Sequence, residues 1–476
     1  MRRRQFLTTT AGLSCISGIA VGSPSTHVRQ QSTAEDFEPR GNVTVDGIKE
    51  AVVGADGTTV YAAVTDGFAT IDVSDPADPT TLTEQRGLLS DRENGPMTQI
   101  FDVKVDGDRL VVVGPANPNQ NALNAAVFYD VSDPADPQQV GVYETDYPIH
   151  NCYFTDGIAY LTGNRRTRND LELVELGAEP QLIGSWSIVD HEPDWADVYP
   201  GLRTLHDIFV QDGRAYLAHW DASTRIVDVS DPSSPSLVTK VRGRPPDRFT
   251  SFGRTQSALE AIQPPGNDHY VAVNDDASVL GIGMESWDVR PGDSRGGPSG
   301  IELWDISDPT EATQLSTIDP PPSSDPSYGG EWTTSHNFEF DGDRLYTSWY
   351  QGGVKVYDVS DPADPVELAD WRNSKTTSFW TAQVAADAFI ASSGVDHHQS
   401  ITLPDRLYTF PIPGAGTTGS GPTDSGTATG TATGTDSGPA NDTASDSTAS
   451  EATGSGFGVL AALLGLGLGT WRQRDN

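Results

Sequence analysis

No stretch limits the fold as much as residues 356–365, Val-Tyr-Asp-Val-Ser-Asp-Pro-Ala-Asp-Pro, because the chain repeats it. Near-copies stand at 71–79, 129–137, 227–235 and 304–309, the last without a second proline. Each copy is a β-forming apolar run halted by Ser-Asp-Pro. Proline there removes a ladder donor and fixes φ, while Asp and Ser side chains accept backbone N–H bonds. A unit returning at spacings of roughly 45 to 77 residues implies modules that bury their apolar faces against one another.

Ahead of each box, Asp-Gly turns sit between alternating apolar segments, the pattern of a hairpin. Residues 336–371 show the unit best: a first segment at 336–340, the turn Asp341-Gly342-Asp343, a second at 345–349, a third at 353–359 and a fourth at 366–371. Four antiparallel strands per unit make a propeller blade. Third strands are expected near Asp72, Asp130, Glu175, Asp228, Asp305, Asp358 and Thr409, which counts seven. The seventh unit lacks a fourth strand, whereas the β segment at 42–45 has no place in the first. The expectation is an all-β, seven-bladed β-propeller of four-stranded antiparallel blades over 39–413, closed by an N-terminal strand in the last blade so that no edge stays open. The boxes resemble the LVIVD repeat of a β-propeller family of microbial surface proteins, over about residues 48 to 411. That resemblance implies a fold and leaves activity open. The chain has no Asp-x-Asp-x-Asp-Gly loop, so the acidic boxes read as turns and not as calcium sites.

Acidic residues number 67 against 30 basic ones, for a formal charge of −37. Such a surface repels phosphate, which excludes nucleic acid as a partner. It resembles the proteins of salt-loving microbes, where dissolved salt screens self-repulsion. Both ends carry addresses. Residues 1–25, with Arg3 and Arg4 ahead of an apolar run, resemble a twin-arginine export signal. Its removal leaves Cys152 as the lone cysteine and no intramolecular disulfide. Residues 26–38 read as a disordered leader, and 414–455, nearly all Thr, Gly, Ser, Ala and Asp, as an extended stalk. Asn42 and Asn441 begin N-glycosylation sequons. Residues 456–476 open on Gly456-Phe457, run apolar to Trp471 and close on basic residues, resembling an archaeal C-terminal sorting signal in which Ser455 replaces the usual proline. The expected location is the outer face of the cell membrane or the cell wall, with residues 456–476 as the membrane anchor.

In a four-stranded blade, the connections between first and second strands and between third and fourth share one face. Those between second and third strands, and between blades, share the other. The first group is short throughout. The long pieces at 87–98, 114–124, 190–204, 243–255, 275–299 and 319–335 all fall in the second, where binding residues are expected. Counting back ten residues from the residue that opens each second strand (Tyr61, Val111, Tyr160, Tyr216, Tyr270, Tyr346, Phe389) gives a ring at the channel mouth. Its members are Ala51, Phe101, His150, His206, Glu260, His336 and Phe379.

Three imidazoles and a carboxylate, His150, His206, Glu260 and His336, suit a zinc, copper or iron ion. His219, His397 and His398 lie on the same side as additional rim ligands. Segments around His150, His206 and His336 are similar to histidine-bearing segments of the selenium-binding protein family, seven-bladed propellers that include copper-dependent methanethiol oxidases. The resemblance implies a metal. Tryptophans on this face (Trp195, Trp220, Trp287, Trp332, Trp349, Trp380) could stack on sugars or pack beneath loops. The expected function is a secreted, surface-anchored, monomeric binding module of the cell envelope, with an envelope protein or glycan as partner. The alternatives are a metal-dependent oxidoreductase or hydrolase working at the mouth, and a purely structural surface protein.

Overall fold

The computed structural model of the protein describes residues 37–119, 122–165, 167–289, 296–395, 399 and 401–414. Within them, seven four-stranded antiparallel sheets follow one another as blades around a central channel. Six use consecutive strands: blade one spans 48–86, two 102–145, three 152–187, four 207–240, five 268–318 and six 338–371. Blade seven takes three strands from Gln383–Val384, Phe389–Ser393 and Arg406–Phe410, and its outer strand from Gly41–Thr44. That outer strand pairs in register from Gly41 against Thr409 to Thr44 against Arg406. The ring is therefore latched as the sequence suggests. Phe37, expected in a disordered leader, is buried and stacks on Phe389 and Phe410 at 6.4 and 5.6 Å.

The repeated box has three physical jobs. In blades one to six the third and fourth strands slip register at one place: Thr70/Ile71, Phe128/Tyr129, Leu173/Val174, Ile226/Val227, Leu303/Trp304 and Val356/Tyr357. A bulge there adds twist to the outer half of the blade. Next, the turn is locked by carboxylates. Asp72, Asp130, Asp228, Asp305 and Asp358 each accept the N–H of the serine two residues on, at 2.8–3.0 Å. Asp75, Asp133, Asp231, Asp308 and Asp361 repeat the motif at 3.0–3.1 Å. Bonds from Ser132 and Ser230 favour the ionised form and hold the Asp130 and Asp228 carboxyls below the usual range.

Finally, the box clips blades together. The carbonyls of Pro76, Pro134 and Pro362 accept hydroxyls of the preceding blade, from Thr409 at 2.5 Å, Thr70 at 2.7 Å and Ser316 at 2.6 Å. Gly184 of blade three approaches the next blade's box so closely that a Cβ would lie 1.9 Å from the Pro232 carbonyl oxygen. Only glycine fits there.

One strand departs from the sequence reading. Tyr270, expected to open the second strand of blade five, lies in the first, Asp268–Val273; the second is Val279–Met284. That strand carries Gly281 and Gly283 where other blades carry bulk, because a Cβ on Gly281 would meet the Phe338 ring of blade six at 2.6 Å. The stretch 275–299 is thus a hairpin end, a strand and then the long connection that begins at Glu285. The other long insertions do lie between blades or between second and third strands, on the face away from the boxes.

Candidate metal centre at the channel mouth

One residue per blade stands at or just before the start of the innermost strand: Lys49, Phe101, His150, His206, His269, His336 and Trp380. Backbone bonds across the blade fix them. The N–H groups of His206, His336 and Trp380 donate to the carbonyls of Ala218, Ser348 and Ser392 at 2.8, 3.0 and 2.9 Å. Their side chains meet in order around the mouth. Ring centroids lie 6.4 Å apart for Phe101 and His150, 4.3 Å for His150 and His206, and 3.7 Å for His206 and His269. The circuit continues at 5.1 Å from His269 to His336 and 5.0 Å from His336 to Trp380. Lys49 closes it, its Nζ 5.2 Å from the Trp380 ring and 5.9 Å from that of Phe101. Blades three to six therefore present an unbroken arc of four imidazoles.

The chemistry of the arc is that of ligands. Burial, and then the neighbouring imidazoles, push the pKa values of His206 and His269 well below the ordinary histidine value, so both are neutral at neutral pH. The Nδ1 atoms of His150, His206 and His336 lie 3.0, 2.9 and 2.6 Å from the carbonyl oxygens of Ala116, His269 and Trp380. A carbonyl only accepts, so Nδ1 carries a proton in all three; in the neutral His206 ring that leaves the lone pair on Nε2, the tautomer of a metal-ligating histidine. In His269, Nδ1 lies 3.1 Å from Glu285 Oε2 but without hydrogen-bond alignment, and the buried Nε2 has no hydrogen-bond partner among the described residues. Ligand-type atoms of His269, Glu285 and His336 all lie within 4.8 Å of one another.

An outer tier leans on the arc. Trp220, Glu285 and Tyr350 directly follow, or lie just beyond, the second strands of blades four, five and six. Trp220 and Tyr350 adopt left-handed φ values of 31° and 47°, a conformation that costs energy for an aromatic residue and clusters at functional sites. The Trp220 ring stacks on His206 at 6.1 Å and the Tyr350 ring lies 4.6 Å from His336. The Tyr350 hydroxyl donates to Glu285 Oε1 at 2.5 Å.

One residue deeper, Glu50, Asp102, Asn151, Asp207, Tyr270, Asn337 and Thr381 form a polar floor. The Lys104 ammonium bonds to Asp102 and Glu50, Asn337 donates to Glu50, and Asn151 donates to Asp207 at 2.7 Å. Burial pushes the Glu50 carboxyl up to about 7, with Lys104 opposing. It opposes the Lys104 charge as well, but the Asp102 and Glu50 carboxylates outweigh it and raise that pKa.

Several expected site residues lie elsewhere. Glu260 ends the short helix Arg254–Glu260 and pairs with Arg244 at 2.5 Å; it entered the ring only because Tyr270 was placed in the wrong strand. His269 is the true member. Blades one and seven contribute Lys49 and Trp380, not Ala51 and Phe379, since the blade-one hairpin is longer and the blade-seven one opens a residue later than counted. His219 is buried behind the arc, its ring 6.0 Å from Trp186 and its Nδ1 3.1 Å from the Arg203 carbonyl. Burial and the nearby Arg225 charge push its pKa down to about 3. Arg203 in turn is buried and bonds to Trp195 and Thr167 carbonyls at 3.0 Å and to Asn169, pinning the insertion ahead of His206. Trp195, Trp287 and Trp332 pack beneath loops, Trp349 packs in the core between blades five and six, and Trp220 and Trp380 border the mouth. Asn42 is exposed on the latch strand, its Oδ1 accepting from Arg406 at 3.1 Å. Arg3, Arg4, His397, His398, Asn441, Gly456 and Phe457 lie outside the described residues.

The LVIVD repeat model matches residues 53–84 and 203–242, the first covering the box of blade one and the second all of blade four, including His206. No curated protein matches the sequence. Among solved structures, the β-propeller domain of Cps50 (Swd1) from Myceliophteria thermophila is 8% identical with a TM-score of 0.52, covering 79% of this chain and 99% of that one. The WD40 β-propeller domain of Doa1 is 10% identical with a TM-score of 0.47, covering 79% and 96%. A functionally unknown protein from Desulfotomaculum acetoxidans is 11% identical with a TM-score of 0.46, covering 69% and 86%. The similarity to the Cps50 domain is one of fold alone. The chain is a seven-bladed β-propeller that carries LVIVD repeats.

Proposed function

We propose that this propeller holds one transition-metal ion at its channel mouth through His206, His269 and His336, with His150 at the end of the arc and Glu285 beside it. The observation that carries this is the contiguous arc of four imidazoles, with centroids 4.3, 3.7 and 5.1 Å apart. A three-histidine set suits zinc, copper or iron and leaves a coordination position open for a substrate or water. When bound, such an ion supplies Lewis acidity or electron transfer. The chain's own residues orient the ligands: backbone carbonyls fix the imidazole tautomers, and Glu285 and Tyr350 brace the open side. Metal analysis of protein produced in high salt, after repletion, tests the reading. About one equivalent in the wild type that is lost in His269→Ala supports it; a substoichiometric trace indifferent to the substitution sinks it.

A second reading, an interaction module for an envelope protein or glycan, draws on the long insertions that share the mouth's face. It is tested by alanine substitutions in 243–255 and 319–335 against capture of envelope material, with metal content held constant. For location, the export-signal-like residues 1–25 and the stalk and anchor at 414–476 support an exported, membrane-tethered protein. Cell fractionation with and without 456–476 decides it: release into the medium on truncation is expected, and no change refutes tethering.

A further inference from the structure

From the arc, a file of aromatic rings runs outward beneath the long loops. Tyr350 lies 4.6 Å from His336, Trp332 5.2 Å from Tyr350, Trp287 4.6 Å from Trp332, and Tyr328 4.9 Å from Trp287, all between ring centroids. Every member is an easily oxidised side chain. The contrast with the aromatic core of blade seven is sharp in composition: there Phe37, Phe379, Phe389 and Phe410 supply most of the rings. Packing alone is satisfied by phenylalanine, so a phenylalanine-free file that starts on a ligand needs another reason. The first ring also sits in a strained left-handed conformation that aims it at His336.

Hydrogen bonding sorts the members. Tyr350 has a carboxylate on its hydroxyl, Glu285 Oε1 at 2.5 Å. Trp332 Nε1 donates to the Tyr328 carbonyl at 2.8 Å, an oxygen that does not take a proton, and Trp287 Nε1 has no hydrogen-bond partner among the described residues. An indole oxidised at either place keeps its proton and stays a strong oxidant. These are positions of transit, not of rest.

We infer that Tyr350, Trp332, Trp287 and Tyr328 form an electron-transfer chain that leads from the metal centre to Tyr328, a buried ring beneath the loops. The inference rests on the metal reading and adds that the bound ion is redox-active. Tyr350 gives one electron to the oxidised centre as its hydroxyl proton passes to Glu285. Trp332 then returns an electron to Tyr350, the proton goes back, and the electron deficit moves through Trp287 to Tyr328, whose phenol releases its proton to water. A thiol then gives Tyr328 back one electron and one proton. Over two passages two thiols leave as a disulfide, and a peroxide at the centre takes the two electrons and the two protons that Tyr328 released to become two waters.

The test uses full-length, copper-loaded protein whose metal content is measured first. Hydrogen peroxide is added without reductant, radicals are trapped by freeze-quench electron paramagnetic resonance, and oxidised side chains are mapped by peptide mass spectrometry. The wild type is expected to accumulate oxidised Tyr328. Trp332→Phe should lose that product and prolong a signal from the Tyr350 radical, while Trp332→Tyr, which restores an oxidisable ring, should recover it. Tyr350→Phe should abolish oxidised Tyr328. Equal product maps in wild type, Trp332→Phe and Tyr350→Phe at equal copper content overturn the chain and leave the metal site standing. Failure of the wild type to hold copper or iron overturns the chain, and failure to hold any of zinc, copper and iron overturns the metal site as well.

Discussion

The two faces of the ring are built on opposite principles. On one face lie the same Asp-Val-Ser-Asp-Pro turns, with carboxylates satisfied by N–H groups two residues away and carbonyls clipped to the preceding blade. On the other, no two connections are alike, and charged and aromatic side chains are buried among them: Arg203, Arg225, His219, Trp195. Local, repeated contacts set the blade period and can be lost one at a time. Long-range contacts between unlike insertions hold a single arrangement, and the imidazole arc sits among these. Repetition marks the scaffold; its interruption marks the site.

Four measurements break or sharpen that contrast. The largest effect is expected from Arg203→Ala on the mouth side, which strips buried hydrogen bonds and leaves a cavity, costing about 3–5 kcal/mol in denaturant unfolding. A cost no greater than that of a box mutation would erase the distinction. Next comes pH, since each side buries a group with a displaced pKa. Burial holds the Glu339 carboxyl protonated up to about 8, whereas the unfolded chain ionises it near 4.5, so its contribution is full at low pH and is lost as pH climbs to 8. His219 titrates at about 3 when folded against 6.5 unfolded, so its contribution is full above 6.5 and is lost as pH falls toward 3. These two groups together contribute a rise from pH 3 to 4.5, no net slope to 6.5 and a fall to 8, with slopes of about 1.4 kcal/mol per unit on each limb, on top of what Glu50, His206 and His269 contribute. Relative to the wild type, Glu339→Gln should remove a fall of about 1.4 kcal/mol per unit between pH 4.5 and 8; an unchanged slope there refutes the assignment.

Third, His269→Ala should weaken metal binding by more than the roughly 10–100-fold typical of an outer-shell partner, read by calorimetric titration, and Glu260→Gln should leave it unchanged. The reverse order would restore Glu260 to the ring. The smallest effect belongs to the box: Asp358→Ala should cost about 1 kcal/mol and leave metal affinity unchanged.

The fold was legible because its signals are local. Proline, Asp-Gly turns and alternating apolar residues report on their own neighbourhood, and the missing fourth strand of the last unit found its match in 42–45 by elimination. The mouth was legible only where a blade keeps standard hairpin lengths. His150, His206 and His336 fell out by counting, since their hairpins match. His269 did not, because the blade-five hairpin at 274–278 is longer and the second strand gives up its aromatic marker to the Phe338 ring of blade six. A cue was present in the dyads His150-Asn151, His206-Asp207 and His336-Asn337, to which His269-Tyr270 adds a fourth histidine ahead of a polar side chain. Glu285 and Tyr350 carried no such cue. Their meeting depends on two connections from different blades, and nothing in either stretch alone reports it.

The latch has a consequence in time. Its pairing joins residues 368 positions apart, Gly41 with Thr409, so its loop-closure cost exceeds that of any hairpin in the ring. A chain emerging from its amino end can complete six blades in order while the strand that finishes the seventh waits, already made, for a partner synthesised last. Closure thus reports that the whole propeller has been built. A chain cut short before residue 406 would keep its blades and fail to shut, leaving an open strand edge for whatever proofreads unfinished proteins to recognise.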